Sequence, residues 1–435
     1  MKAIIHTIII PFLFHFSQSY TITAINSSSG IFYNHLGKAK VTNQKFTLLT
    51  FVNVSHIDNH IQTINMLYYK SLGICNKLTS KHIDFHCQNQ LQYINTKLKF
   101  IKNDYNIIAH QVIGNRKKRG LVDGIGDAFK WLFGTPDAED AQFYTDSIKS
   151  LIGNQKQTEL LMQQQVRIVQ STISNFNNSL QILNQNTKTL NENIMKFDEF
   201  ISQTNSFEEK LQLENQISQH IITLVEMTDE VQNILGKYID GLSLVNKGII
   251  SYHILNPEDL RSELKTISIR HNLPLEPTLE NALVYFKLMK IKAFIKNELL
   301  VIAFEIPIVN SLLYDLYGLY PLFTPHQSDP YLFSYIEPSK PYILLSVTRT
   351  VFSSLNNLQK CQEYLPNQWL CDQVTISKRI DHPICEIQLF FKEVNHIPKN
   401  CQVKHIYADT ELWHKINNNK WIYVLSKPTR TNILC

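Results

Sequence analysis

Twelve positions between Met162 and Ile201 step along the chain by four and three residues in strict alternation: Met162, Val166, Val169, Ile173, Phe176, Leu180, Leu183, Thr187, Leu190, Ile194, Phe197 and Ile201. Only Thr187 is not apolar. A 3.5-residue spacing sustained over this length lays one apolar seam along a helix and specifies a left-handed coiled coil. Ile148 and Ile152 keep the same register, although Gln155 and Glu159 interrupt it. Neither Pro nor Gly falls between Asn154 and Phe200, so the sequence predicts one helix of about 70 Å at 1.5 Å per residue. β-branched and aromatic residues share the core positions, which favours three strands over two. A polar break follows at Gln203–Ser206. A second register then runs through Ile217, Ile221, Leu224, Thr228, Val231, Leu235, Tyr238, Leu242, Val245 and Ile249, loosened by Gly236, Gly241 and Gly248. The competing reading of both segments is a helical bundle within one chain. For the first, the unbroken length argues for the coiled coil.

Upstream of this seam stand four consecutive basic residues, Arg116, Lys117, Lys118 and Arg119, followed by Gly120. The tract fits the acidic cleft of a furin-like processing protease; a solvated basic loop is the alternative. The segment behind it reads GLVDGIGDAFKWLFG. On a helical net, Asp123, Asp127 and Lys130 share one face. Leu121, Val122, Ile125, Phe129, Leu132 and Phe133 cover the rest, and Trp131 has the apolar ring and polar N–H of a membrane-interface residue. An apolar segment with so thin a polar face suits the boundary of a bilayer. Protonation of Asp123 and Asp127 would lower the cost of bringing their carboxyls there.

The N-terminus, MKAIIHTIIIPFLFHFSQSY, has a basic start, a short apolar stretch and small residues at Ser17 and Ser19. It reads as a signal peptide cut before Tyr20, too short to span a membrane. A secreted chain folds in an oxidising compartment, where its cysteines pair. There are seven: Cys75, Cys87, Cys361, Cys371, Cys385, Cys401 and Cys435. The odd count leaves Cys435 free, intermolecular, or followed by more chain. Cys361 and Cys371 can close a short loop, and Cys385 can pair with Cys401. Cys75 and Cys87 either pair with each other, or one of them ties the N-terminal fragment to the rest. Sequons stand at Asn26, Asn53 and Asn177. No cysteine–histidine spacing fits a zinc site, and no metal or cofactor is expected. The net charge of +5 shows no long basic block, which argues against a nucleic-acid partner. No nucleophile elbow, zinc-protease helix or phosphate loop is present, so no catalytic residue is expected and the chain does not read as an enzyme.

Beyond Asn256-Pro257 the pattern changes. From Leu283 the apolar period is two; Leu283–Ile295 and Leu299–Val309 flank a turn, and further strands are expected over Leu313–Phe323, Tyr331–Ile336, Tyr342–Thr348 and His405–Ala408. The sequence thus divides into a signal peptide (1–19), an N-terminal fragment (20–119), an apolar released segment (120–140), a heptad helix (141–206), a second helical segment (207–250) and a β-rich head (251–435). Among the sixteen histidines, His220 and His253 stand in or beside the second helical segment and are candidates for a pH trigger.

Several segments together resemble the baculovirus F-type fusion proteins and the related envelope proteins of insect errantiviruses, which are gypsy-like retroelements. They are SSSGIFYNHLGKAKVTNQKFTLLTFVNVS near the mature N-terminus, RKKRGLVDGIGDAFKWLFGTPDAEDAQFY, YHILNPEDLRSEL from Tyr252, LLVIAFEIPIV from Leu299 and YDLYGLYPLFTPHQ from Tyr314. The resemblance implies a class I viral fusion glycoprotein of α+β type, with long central heptad helices in a trimeric coiled coil and a β-rich head. It further implies a homotrimer of two disulfide-linked fragments, triggered by low pH, acting on a target-cell membrane through an unknown receptor. It places the protein in the secretory pathway and then on a virion envelope or cell surface, with an anchor beyond Cys435. Two rival readings are a captured envelope acting as a secreted decoy against viral entry, and a secreted coiled-coil structural protein.

Overall fold

The computed structural model describes residues 21–25, 29–53, 55–80, 87–112, 130–134, 138–153, 165–169, 176–203, 206–296, 299–381, 383–391, 396–409, 411–417 and 419–427. The chain divides into two compact units. One comprises Met1–Val41 with Leu312–Cys435, the other Thr42–Ser311. Strand β1 (Ile31–Asn53) contributes its first half to the one and its second half to the other.

In the unit Thr42–Ser311, β1 pairs antiparallel with β5 (Leu299–Val309), β5 with β4 (Lys290–Lys296), and β4 with β2 (Lys130–Phe133). Strand β3 (Val166–Ile168) runs parallel to β1. Alternate side chains of a strand face opposite sides, and here both sides are covered. Phe46, Leu48, Ile302, Phe304 and Ile306 face a helical layer. Leu49, Phe294, Val301 and Ala303 face α3 (Ala138–Gly153) through Ala141, Tyr144 and Ile148. That two-sided burial explains why β5 reads as a nearly continuous apolar run.

The helical layer is made of α1 (Ser55–Ser80), α2 (Cys87–Val112), α4 (Phe176–Gln203) and α5 (Phe207–Val245). Each has apolar residues three and four apart, the spacing of a one-sided helix: Ile57, Ile61, Ile64, Leu67, Ile74 and Leu78 on α1, and Leu91, Ile94, Leu98, Ile101 and Ile108 on α2. The bridge between Cys75 and Cys87 ties the end of α1 to the start of α2. Helix α5, 39 residues, is about 58 Å long at 1.5 Å per residue. It starts with a reciprocal cap in which the Glu209 amide donates to Ser206 Oγ (3.2 Å) and the Ser206 amide donates to Glu209 Oε2 (3.0 Å). Two shorter helices follow, α6 (Pro257–Ser268) and α7 (Leu279–Leu288).

This architecture corrects the expected one. The region 141–206 holds no continuous heptad helix. It contains most of α3, the short strand β3 and helix α4. At β3, Gln165 takes a left-handed turn with φ of 59°. Its carbonyl accepts from the Thr47 amide at 2.8 Å, and the Val169 amide donates to Leu49 at 2.7 Å. Arg167 adds an ion pair to Glu263 of α6 at 2.6 Å. Val-Arg-Ile suits a strand as well as a helix, and these partners on β1 and α6 decide it. Of the expected coiled-coil core, Val166 is buried under the sheet beside α3 and Val169 rests against the helical layer. Ile173, and the side chains of Phe176 and Leu180, lie outside the described residues. Leu183, Leu190, Phe197 and Ile201 are buried, and Ile194 partly so, in the helical core beside α1 and α5 of the same chain. Thr187, the polar step in the seam, donates its hydroxyl to the Leu183 carbonyl at 2.7 Å. The class I arrangement of a central heptad helix in a trimeric coiled coil is therefore not the one this chain adopts. Its seam is closed from within.

In the other unit, β1 pairs with β6 (Tyr314–Pro321), β6 with β9 (Tyr342–Ser346), β9 with β10 (Val351–Leu355), and β10 with β13 (Ser377–Lys378). Hairpin β11–β12 (Cys361–Leu365, Gln368–Asp372) places Cys361 opposite Cys371, and the two are bridged. Its turn lies against Gly37, where the Lys38 amide donates to the Asn367 carbonyl at 2.9 Å. A Cβ at Gly37 would collide with that carbonyl, and its φ of 137° also favours glycine. Strands β7 (Thr324–Pro325), β8 (Leu332–Glu337) and β14 (Gln402–Tyr407) form a second small sheet, and β15 (Glu411–Asn417) with β16 (Lys420–Leu425) a separate ribbon. Helix α8 (Cys385–Phe390) is stapled by the Cys385–Cys401 bridge. Among the described residues, no helix is long and apolar enough to cross a membrane.

Candidate functional site

The basic tract Arg116, Lys117, Lys118, Arg119 with Gly120, and the residues Leu121, Val122, Asp123, Ile125, Asp127 and Phe129, lie outside the described residues. The last part of the apolar segment is described. For Lys130–Phe133 the expected helical face gives way to β2, a strand four residues long at the edge of its sheet. Trp131 stands opposite Phe294 of β4, and a bulge separates it from Phe133. Leu132 rests on the main core. The Phe133 ring lies over Gly248, just past the end of α5, so closely that no Cβ could stand there. Gly248 has φ of 72°, the left-handed region that glycine enters without strain. A short edge strand with two apolar contacts belongs to the least stable part of a fold. The described end of the apolar segment is thus tied to the fold through a short edge strand.

In the same sheet a charge cluster surrounds the buried Glu305. Glu305 of β5 accepts from Lys292 of β4 at 2.7 Å and from Lys45 of β1 at 2.9 Å. Lys292 also lies 3.6 Å from Asp140 of α3. Burial alone would push the Glu305 carboxyl up, but the two lysines outweigh it and hold the group below the ordinary carboxylate range. The stability from this pairing is therefore present above the unfolded carboxyl value near 4.5 and is lost only as pH falls through the lower folded value. The cluster keeps β1, β4, β5 and α3 together in mild acid.

The helical layer responds differently. His220 of α5 is buried, with its Nε2 2.8 Å from Ser71 Oγ of α1 and its ring edge-on to Phe197 of α4. Ser71 spends its one proton on the Leu67 carbonyl at 2.8 Å, so His220 Nε2 is the donor to Ser71. That leaves Nδ1 as a buried acceptor with no hydrogen-bond partner among the described residues. Burial pushes the imidazole down to about 4. A proton arriving at Nδ1 would place a cation among apolar side chains with nothing to receive its N–H. His253, the other candidate, is exposed beyond the end of α5.

The covalent and modification residues fall as follows. All three bridges, Cys75–Cys87, Cys361–Cys371 and Cys385–Cys401, lie on one side or the other of Arg119. Of the two options left open for Cys75 and Cys87, the structure has the mutual pair. Asn53 ends β1, Asn177 is the second residue of α4, and Asn26 lies outside the described residues. Helices α1 and α2 were missed by the sequence reading, although the three-and-four spacing of Ile57 to Leu78 and of Leu91 to Ile108 carries the signal.

One chain thus carries a basic tract, an apolar segment whose last residues form a sheet-edge strand, and a desolvated histidine in its helical layer. The baculovirus F protein family model matches residues 1–182 and 171–435, and the chain belongs to that family. It is 19% identical over 463 aligned residues to the envelope fusion protein of Lymantria dispar multicapsid nuclear polyhedrosis virus. That alignment covers 97% of this chain and 64% of the relative, so the chain spans somewhat under two thirds of that protein's length.

Proposed function

We propose that this chain forms the greater part of a viral envelope glycoprotein that fuses membranes. It travels the secretory pathway to a virion envelope or cell surface, where a furin-like protease cuts it after Arg119. The cut frees Gly120 as the head of an apolar segment aimed at a target-cell membrane, and low pH then releases that segment. Assembly as a homotrimer and attachment to a cell-surface receptor belong to the same reading. The observation that carries it is the family match along the whole chain, joined to the order of basic tract, apolar segment and edge strand β2. Cutting at Arg119 supplies the free end, and loosening of the helical layer at His220 supplies a pH-dependent step within α5, the helix whose far end leads to Gly248 and Phe133.

The test uses cells displaying the full-length reading frame, given a brief acid pulse. Native protein is expected to give a fragment beginning at Gly120 and multinucleate cells. Arg119→Ala should give one uncut chain and no fusion. Equal fusion by Arg119→Ala would remove processing from the account, and no fusion by either form would remove the activity.

A further inference from the structure

The ribbon β15–β16 near the C-terminal end of the described chain has two unlike faces. In the antiparallel register Trp413 stands opposite Tyr423 and Lys415 opposite Trp421, so all four share one face. That face is open: Trp421 is 52% exposed, Trp413 43% and Tyr423 36%. The rings of Trp413 and Tyr423 are stacked, 4.7 Å apart and 23° from parallel. The Lys415 ammonium lies 5.6 Å from the centre of the Trp421 ring. The other face is fixed to its own unit. Ile422 is buried, the His414 ring meets Tyr320 at 5.3 Å, and Lys420 donates to Asn34 Oδ1 at 2.7 Å while lying over the Phe32 ring. The exposed rings are therefore held in place by the ribbon and do not fold back to cover themselves.

We propose that this outer face is a membrane-contact surface that takes phospholipid headgroups, distinct from the segment behind Arg119. Its chemistry commits it to that occupant. Trp and Tyr, each with an apolar body and a polar edge, are the side chains that settle at the headgroup level of a bilayer. A lysine with a long apolar stem can lie along the rings while its ammonium meets lipid phosphate. The centre of a protein–protein interface is depleted of lysine, yet here Lys415 stands directly opposite Trp421 and beside the stacked pair Trp413–Tyr423. The charge is graded along the ribbon. The carboxylate of Glu411 is at the base, opposite Leu425, and Lys415 is nearer the Asn417–Lys420 turn, so the cationic end would reach an anionic surface first. The surface does not depend on cleavage, and the inference stands whether or not the chain is processed.

Uncut protein carrying Arg119→Ala is floated with vesicles of phosphatidylcholine, with and without phosphatidylglycerol. Its tryptophan emission is read against lipids brominated near the headgroup. Binding and shallow quenching are expected, stronger on the anionic vesicles. Trp413→Ser with Trp421→Ser should weaken partition by about ten-fold or more and abolish most of the quenching. Lys415→Glu, a surface change that leaves the fold alone, should abolish the preference for phosphatidylglycerol. Trp413→Phe with Trp421→Phe should retain more than half the binding of the unsubstituted ribbon. Equal partition of the serine variant would overturn the proposal. So would binding only to vesicles that carry glycan, or self-association through this face without vesicle binding.

Discussion

Lowering the pH from 7.5 to 5.0 is expected to cost the helical layer of Thr42–Ser311 about 2 kcal/mol through His220 alone. The buried imidazole takes up its proton near pH 4, against an ordinary value of 6.5. Above pH 6.5 the group is neutral whether the helices are packed or open, and it leaves stability unchanged. Between 6.5 and about 4 the open state binds a proton that the packed state refuses. Each unit of pH then removes about 1.4 kcal/mol, reaching about 3 kcal/mol at the lower end. Neighbouring charges do little to offset this. The nearest ion pair between α1 and α4, Lys77 with Asp198 at 2.5 Å, is exposed and internally balanced, and Lys70 is turned to Asn191. The Glu305 cluster keeps its pairing over the same range, so acid acts on the helices before it acts on the sheet. The measurement is urea unfolding followed by helical ellipticity at both pH values, for native protein and for His220→Phe. Phenylalanine fills the site and leaves Ser71 bonded to Leu67. The native protein should lose about 2 kcal/mol more than the variant. An equal loss would place the acid response elsewhere.

The second large effect concerns what holds a cut molecule together. The fragment 20–119 contains two cysteines, Cys75 and Cys87, and they are bridged to each other. No cysteine on that side of Arg119 remains to reach the other side. If the chain is cut after Arg119, the part before the cut is held by packing and by β1, which pairs with β6 in one unit and β5 in the other. It is held as well by α1 and α2, whose apolar faces lie in the main core beside α4 and α5. Denaturing electrophoresis of cleaved protein without reductant is therefore expected to separate two bands, although the same sample runs as one species under native conditions. A single unreduced band that splits only on reduction would contradict the Cys75–Cys87 pairing. It would restore the disulfide-linked arrangement that the family resemblance implies.

How far these features could be read beforehand depended on where their causes lie. The β5 run from Leu299 to Val309 is buried on both faces, so its composition alone marks it. The capping box at Ser206 and Glu209 is local and legible. The failure at β3 has a definite physical source. Val166 and Val169 fit the heptad register as well as they fit a strand, and the choice is made by three pairings to Thr47, Leu48 and Leu49 and by the Arg167–Glu263 ion pair, all distant in sequence. The closing of the seam failed for a related reason. A seam from Leu183 to Ile201 states that something apolar covers it, and α1, more than a hundred residues away, supplies that cover as well as another copy would. The bonding of His220 to Ser71, 149 residues apart, was invisible for the same reason. The position of Phe133 over Gly248 likewise needs both ends of a long intervening chain. The two exposed tryptophans on β16 and β15 are plain in the sequence, but their shared face appears only with the register.

The account rests on the helical seam being closed within one chain. Zero-length carbodiimide cross-linking of a mixture of isotopically light and heavy protein tests this directly, because Lys77 with Asp198 joins α1 to α4 and Lys97 with Asp229 joins α2 to α5. The expected result is that both cross-linked peptide pairs are entirely light or entirely heavy. Mixed light–heavy pairs at these two positions would show the seam to be shared between copies, and would contradict the structure described.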